Sequence, residues 1–183
     1  MKKILLTLVI AAGLLFGTIA GPKGSEKLNF RQLLLWHSRP NTVKIPDIDV
    51  EAKVEWVGED NQGNMDIPKD TDNAAWYEKG YYPGEKGSMV IAGHKDSKTG
   101  PAIFYNLDKL SFGDAITVSD MKGKIYRYIV FDKKLYEEDM FPVKEIFGKT
   151  DFSILNLITC KGTFNRSDES YSHRLVVSAK LVE

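Results

Sequence analysis

Residues 155–160, Leu155-Asn156-Leu157-Ile158-Thr159-Cys160, limit what this chain of 183 residues can fold into more than any other stretch. Runs of four to eight aliphatic and β-branched residues are the pattern of strands buried on both faces, so this one belongs in the middle of a sheet. It ends on the only cysteine of the sequence. A second run of this kind, residues 87–94, closes on Gly93-His94, and a third, Leu175-Val176-Val177-Ser178-Ala179, begins just after Arg174. A thiol, an imidazole and a guanidinium are thus expected at strand ends, where a barrel or sheet opens to solvent.

The remaining pattern is one of short strands at close spacing. Residues 44–50 have edge-strand character, because Pro46 cannot donate to a ladder. Residues 52–57 alternate as a half-buried strand does, and residues 58–63 supply turn chemistry. Residues 65–68 read as another short strand and residues 73–77 as a single helical turn. Apolar residues at 103, 104, 107 and 110 keep helical spacing, which predicts a short amphipathic helix over 103–110. Residues 115–118 and 124–133 are strands around a Lys122-Gly123 hairpin. Glu137-Glu138-Asp139 and residues 147–150 lie in a connection long enough to reach a ligand. The whole is mainly β, a barrel or a sandwich, with little helix. At 43% hydrophobic and 27% charged residues it can bury one core of ordinary size.

The N-terminus differs from the rest. After Lys2-Lys3 come seventeen residues, 4–20, without charge, at the lower limit of the roughly 17–25 needed to cross a bilayer. This predicts an export segment over residues 1–22, kept as a single-pass anchor or removed near Thr18-Ile19-Ala20, with the bulk of the chain outside the cell. Residues 23–42 read as an extracellular stalk and residues 43–183 as the folded domain. Six basic residues precede Asn41 against the single acid Glu26, leaving 19 basic and 24 acidic residues from Asn41 onward. A mildly acidic domain argues against nucleic-acid binding, which rewards clustered Lys and Arg.

An unpaired cysteine in an exported chain is a liability unless it is used. As thiolate, Cys160 could attack an acyl group; His94 could supply a neighbouring cation and carry a proton to a leaving amine. Arg174 cannot plausibly act as a base, but it could hold a carbonyl or the oxyanion of a tetrahedral intermediate. Each also has a plainer reading: Cys160 as a buried hydrophobe, His94 as a loop residue, Arg174 as a surface residue of a strand. His173 would face away from Arg174's side, and His37 falls in the stalk. Three histidines and one cysteine without paired spacing do not suggest zinc, and the acidic triplet at 137–139 is explained as well by a solvated loop as by calcium. No cofactor is expected.

Ala92-Gly93-His94, Leu157-Ile158-Thr159-Cys160 and Arg174-Leu175-Val176-Val177-Ser178-Ala179, in that order, resemble the sortases, cysteine transpeptidases of Gram-positive cell surfaces. Trp76-Tyr77, Pro83-Gly84, Gly93-His94-Lys95-Asp96-Ser97 and Gly100-Pro101-Ala102-Ile103-Phe104 look most like class F, with class D next. The resemblance implies a closed eight-stranded β-barrel with one or two short helices, preceded by an apolar membrane helix. It implies Cys160 as nucleophile, His94 as general acid and base, Arg174 as the clamp on substrate and oxyanion, and Thr159 as a neighbour in the substrate pocket. The implied substrates are surface proteins with a C-terminal LPXTG-like signal, cut between Thr and Gly through a thioester. The acyl group then passes to an amine of a peptidoglycan precursor. The interval from Cys160 to Arg174 includes Arg166, a rival for the clamp. The acids that bind calcium in some class A members have no convincing counterparts, so no metal is expected. A thiol hydrolase of the same motif and an inactive anchored binding module are the alternatives.

Overall fold

Eight strands close into a barrel in the order β1-β2-β3-β4-β9-β10-β8-β7, with β7 pairing back onto β1. These strands belong to a computed structural model that describes residues 36–167 and 170–182. Their ranges are β1 Pro40–Ile45, β2 Val50–Val57, β3 Ala74–Tyr77, β4 Gly87–Gly93, β7 Ala115–Asp120, β8 Ile125–Glu137, β9 Ser153–Asn165 and β10 Ser170–Leu181. A small hairpin of β5 (Asp96–Ser97) and β6 (Gly100–Pro101) stands outside the barrel. Two neighbouring pairs, β2 with β3 and β4 with β9, run parallel, and the others run antiparallel. The N-terminal apolar segment lies outside the described residues.

The apolar run at 155–158 has a two-sided explanation. Side chains alternate across a strand, so Leu155 and Leu157 enter the barrel core with Met89, Ile91, Leu175 and Val177. Ile158 points the other way and joins Val90, Val176 and Ile146 in a second, smaller cluster on the outer face. The cover over that face is the connection 138–152, which contains the helical turn α1 (Val143–Ile146). Asn156, buried among these groups, is satisfied: its amide donates to the Ile146 carbonyl at 2.7 Å, and its carbonyl accepts from Ser178 at 2.7 Å. Along this stretch strands β4, β9 and β10 are therefore buried on both sides.

Several local expectations give way to tertiary packing. Residues 74–77 form β3 and not a helical turn, because Ala74, Ala75 and Trp76 are wholly buried between β2 and β4 and the ladder uses their backbone groups. Residues 65–68 are not a strand; an isolated bridge joins Met65 to Glu59, and Asp66 N–H donates to the Gly58 carbonyl at 3.1 Å. Residues 103–110 hold one 3-10 turn, Leu107–Lys109, in place of an amphipathic helix. Phe104, Leu107 and Leu110 still go fully into the core, since a chain of tight turns plugging the barrel can place them there without helical continuity. Residues 44–50 are broken by a 3-10 turn that starts at Pro46, and Asp49 takes a left-handed conformation to enter β2. Finally, β9 does not end at Cys160, nor does β10 start after Arg174: both continue as a two-stranded arm, pairing as far as Asn165 with Ser170.

Candidate active site

The register of three neighbouring strands brings the candidate residues into one row. Arg174 is the cross-strand partner of Cys160, which puts their side chains on one face about 4.5–5.5 Å apart at the backbone. On the other side of β9, the parallel β4 ladder pairs Ala92 with Ile158. Two residues further along each strand stand His94 and Cys160. Because Val90 and Ile158 face outward, the same alternation sends His94, Cys160 and Arg174 outward as well. The site is thus a cleft on the outer surface of the barrel wall and not at its mouth, and of the three residues only His94 sits at a strand end. All three line one cavity of about 560 Å³.

Gly93 lets the chain turn out to His94 at this point. A Cβ there would come within 2.6 Å of the Phe104 ring, so the plug under the barrel and the glycine before the histidine require each other. Thr159 belongs to the inward set. It is buried, and its hydroxyl donates to the Gly93 carbonyl at 2.9 Å, so it ties β9 to the end of β4 and has no hydroxyl proton left for a ligand. Phe104 N–H donates to the His94 carbonyl at 2.9 Å and fixes the other side of the histidine.

Among the described residues the ring of His94 makes one hydrogen bond, from Nε2 to the Pro68 carbonyl at 3.2 Å. A carbonyl can only accept, so Nε2 holds a proton and Nδ1 is the nitrogen available for exchange. The Cys160 thiol is pushed up by its burial; Arg174 pulls it down, and Glu138 and Asp96 push it up again, with a net rise. Arg174 is fully engaged on one edge. Its Nη1 donates to the carbonyls of Tyr171 at 2.9 Å and His173 at 3.2 Å. Its Nη2 donates to Glu138 and, at 3.2 Å, to Ser170 Oγ. Among the described residues, no hydrogen bond is made by the fifth donor, Nε–H. Both carboxylate oxygens of Glu138 lie 2.7 Å from Ser170 Oγ and share its one hydroxyl proton, and Glu138 lines the cavity.

Arg166, the rival clamp, is exposed on the turn after β9 and does not line the cavity. His173 bonds Ser172 at 2.7 Å outside the cleft, and His37 does not reach it. Two contributors escaped the sequence reading. Glu138 stood in a conspicuous acidic triplet, but nothing local indicates that it faces Arg174 across 36 positions. The Pro68 carbonyl gives no sequence signal at all. Among the described residues, no group of three or more His, Cys, Asp or Glu is placed to hold a metal ion.

A thiol, a proton carrier with a defined tautomer and a guanidinium along one cleft can support acyl transfer. A sortase-domain family model matches residues 43–182. The chain belongs to the sortase family. It is accordingly a cysteine transpeptidase acting on sorting signals. Solved sortases share its fold. Sortase C-1 from Actinomyces oris is 24% identical, with a TM-score of 0.62, over 78% of this chain and 73% of that one. Sortase C1 from Streptococcus agalactiae is 20% identical, with a TM-score of 0.61, over 78% and 67%. The Clostridium perfringens sortase D5 transpeptidase is 24% identical, with a TM-score of 0.58, over 78% of each chain. Comparison with curated proteins finds no match.

Proposed function

We propose that this sortase works on the outer face of a Gram-positive membrane, held there by residues 1–22. It cleaves an LPXTG-like signal between Thr and Gly and passes the acyl group to an amine of a peptidoglycan precursor. The observation that carries the assignment of roles is the 94–160–174 row, with one residue from each of three adjoining strands.

Cys160 Sγ, as thiolate, attacks the threonine carbonyl carbon, and the carbonyl oxygen takes the charge. Arg174 offers a donor to that oxygen. His94 gives the proton on Nδ1 to the glycine nitrogen as the C–N bond breaks, which leaves a thioester on Cys160 and a neutral imidazole. An incoming amine then attacks the thioester, His94 takes its proton, and Cys160 leaves as thiolate. Burial raises the resting thiol, so substrate has to favour the thiolate. Displacing Glu138 from Arg174 would do so, since it frees a positive donor and removes a negative neighbour together.

Trp76-Tyr77, Pro83-Gly84 and the segment after His94 support a class F assignment, with class D next. The test uses the full-length chain with a sorting-motif peptide, with and without oligoglycine or hydroxylamine. Amine-dependent product supports transfer; free acid whose yield ignores the amine would indicate a thiol hydrolase, and no cleavage at all a binding module.

A further inference from the structure

His94 is held from behind by a peptide unit that is itself held by a carboxylate. The Pro68 carbonyl that accepts from His94 Nε2 shares its amide plane with the Lys69 N–H, and that N–H donates to Glu55 Oε2 at 3.0 Å. One planar amide therefore joins the two, accepting from the imidazole at its oxygen and donating to the carboxylate at its nitrogen. Glu55 stands on β2, half-buried, and its other oxygen accepts from Asp70 N–H at 3.2 Å and Asn73 Nδ2 at 3.0 Å. With Pro68 buried and the Thr71 carbonyl bonded to Ile103 N–H, the peptide has little room to rotate.

We propose that Glu55 is the positioning residue of His94, acting through the peptide between Pro68 and Lys69 to fix the ring's tautomer and to favour its protonated form. The inference rests on the reading of His94 as proton carrier. An amide whose N–H is bonded to an anion becomes a better acceptor at its oxygen, so part of the negative charge is felt at Nε2 although carboxylate and ring never touch. Burial pushes the Glu55 carboxyl up, but the Lys69, Asn73 and Asp70 donors outweigh it and the net change is downward, which keeps the anion in place at neutral pH. In the sequence Glu55 looks like an ordinary solvent-facing residue of an alternating strand.

Other titratable groups share the cavity with the ring, namely Asp66, Glu138, Cys160 and Arg174, and Lys95 and Asp96 follow it along the chain as an ion pair. The phenol of Tyr77 lines the same cavity, and Lys69 faces Glu55. A control is built into the same connection. Asp60 staples Gln62 and Asn64 backbone N–H groups at 2.8 and 2.9 Å, but among the described residues none of its side-chain hydrogen bonds leads to His94.

The experiment uses the full-length chain in detergent, labelled with 15N at histidine, and reads the His94 tautomer by NMR beside the pH profile of kcat/KM for peptide cleavage. Wild type is expected to show Nε2–H in the neutral ring. Glu55→Gln can still accept from Lys69 N–H, so the tautomer should persist while the acid limb moves to lower pH by roughly half a unit, because a positive ring has lost an anion. Glu55→Ala should mix the tautomers and lower kcat by about tenfold with KM little changed; orienting partners behind metal-bound histidines are worth about 10–100-fold. Asp60→Asn should leave tautomer and limb alone. A wild-type ring carrying its proton on Nδ1 would overturn the proposal without any variant. So would folded Glu55→Gln and Glu55→Ala chains with wild-type tautomer and limb. If His94→Asn kept full activity, the proton-carrier reading would fail instead, while the tautomer result would still report the Glu55 linkage.

Discussion

On one side of the cleft, Cys160 and Arg174 are partners in a ladder that runs from Ser170 with Asn165 to Lys180 with Ile154. On the other sides, residues 58–73 and 138–152 reach the same space through a carbonyl and side chains: Pro68 to His94, Glu138 to Arg174, and Phe141, Val143 and Phe147 along the cavity. The difference separates two requirements of the chemistry. The distance between the Cys160 thiol and the Arg174 guanidinium is set by strand register, which cannot slip by one residue without turning Leu155 and Leu157 out of the core. The state of each group, namely which nitrogen of His94 holds the proton and whether Glu138 occupies the guanidinium, depends on contacts that the loops bring.

The largest expected effect breaks the ladder side. Leu157→Ala removes a fully buried side chain directly behind the site and should cost about 2–5 kcal/mol of stability by urea unfolding, with activity lost in proportion to the unfolded fraction. Next comes Arg174→Lys, which keeps the charge and discards the planar fork. A fall in kcat/KM of about 100-fold with an unchanged unfolding midpoint is expected. Arg166→Ala should have no effect, and the reverse outcome would move the clamp to Arg166.

Smaller effects test the loop side. Glu138→Gln removes a negative neighbour of Cys160, and a thiolate freed of a like charge is easier to form, so the thiol should titrate lower. Alkylation by iodoacetamide at pH 7 should then quicken by roughly two- to fivefold. A slower rate would mean that Glu138 holds Arg174 in its working position. The smallest effect is expected from Val143→Ala, an exposed apolar residue of α1 lining the cleft. A rise in KM of about twofold, with kcat and stability unchanged, is expected for a side chain that packs only against bound peptide.

Much of this was legible in the chain. Cys160, His94 and Arg174 each follow or precede an apolar run, and those runs turned out to be neighbouring strands, so residue type and position together pointed to one row. What failed were segments whose conformation is decided by what covers them. The Ala-Ala-Trp-Tyr of β3 has no alternation to read because both its faces are buried. The spacing at 103–110 fits a helix, but Gly93 and the barrel interior accept Phe104, Leu107 and Leu110 from a series of turns equally well. The outward direction of Cys160 could not be read either, since a run apolar on both faces hides which face is the core. Glu138 and the Pro68 carbonyl lay beyond reach for a related reason: their partners are set by loop closure, and a main-chain oxygen has no letter in the sequence.

The central claim is that the sulfur of Cys160 takes the acyl group in this cleft. Intact-mass measurement of the full-length chain, quenched shortly after mixing with a sorting-motif peptide, tests it directly. The account predicts an adduct equal to the N-terminal fragment of the peptide, mapped to Cys160 and released by hydroxylamine, with neither adduct nor cleavage in Cys160→Ala. Peptide cleavage that continues in Cys160→Ala would contradict it.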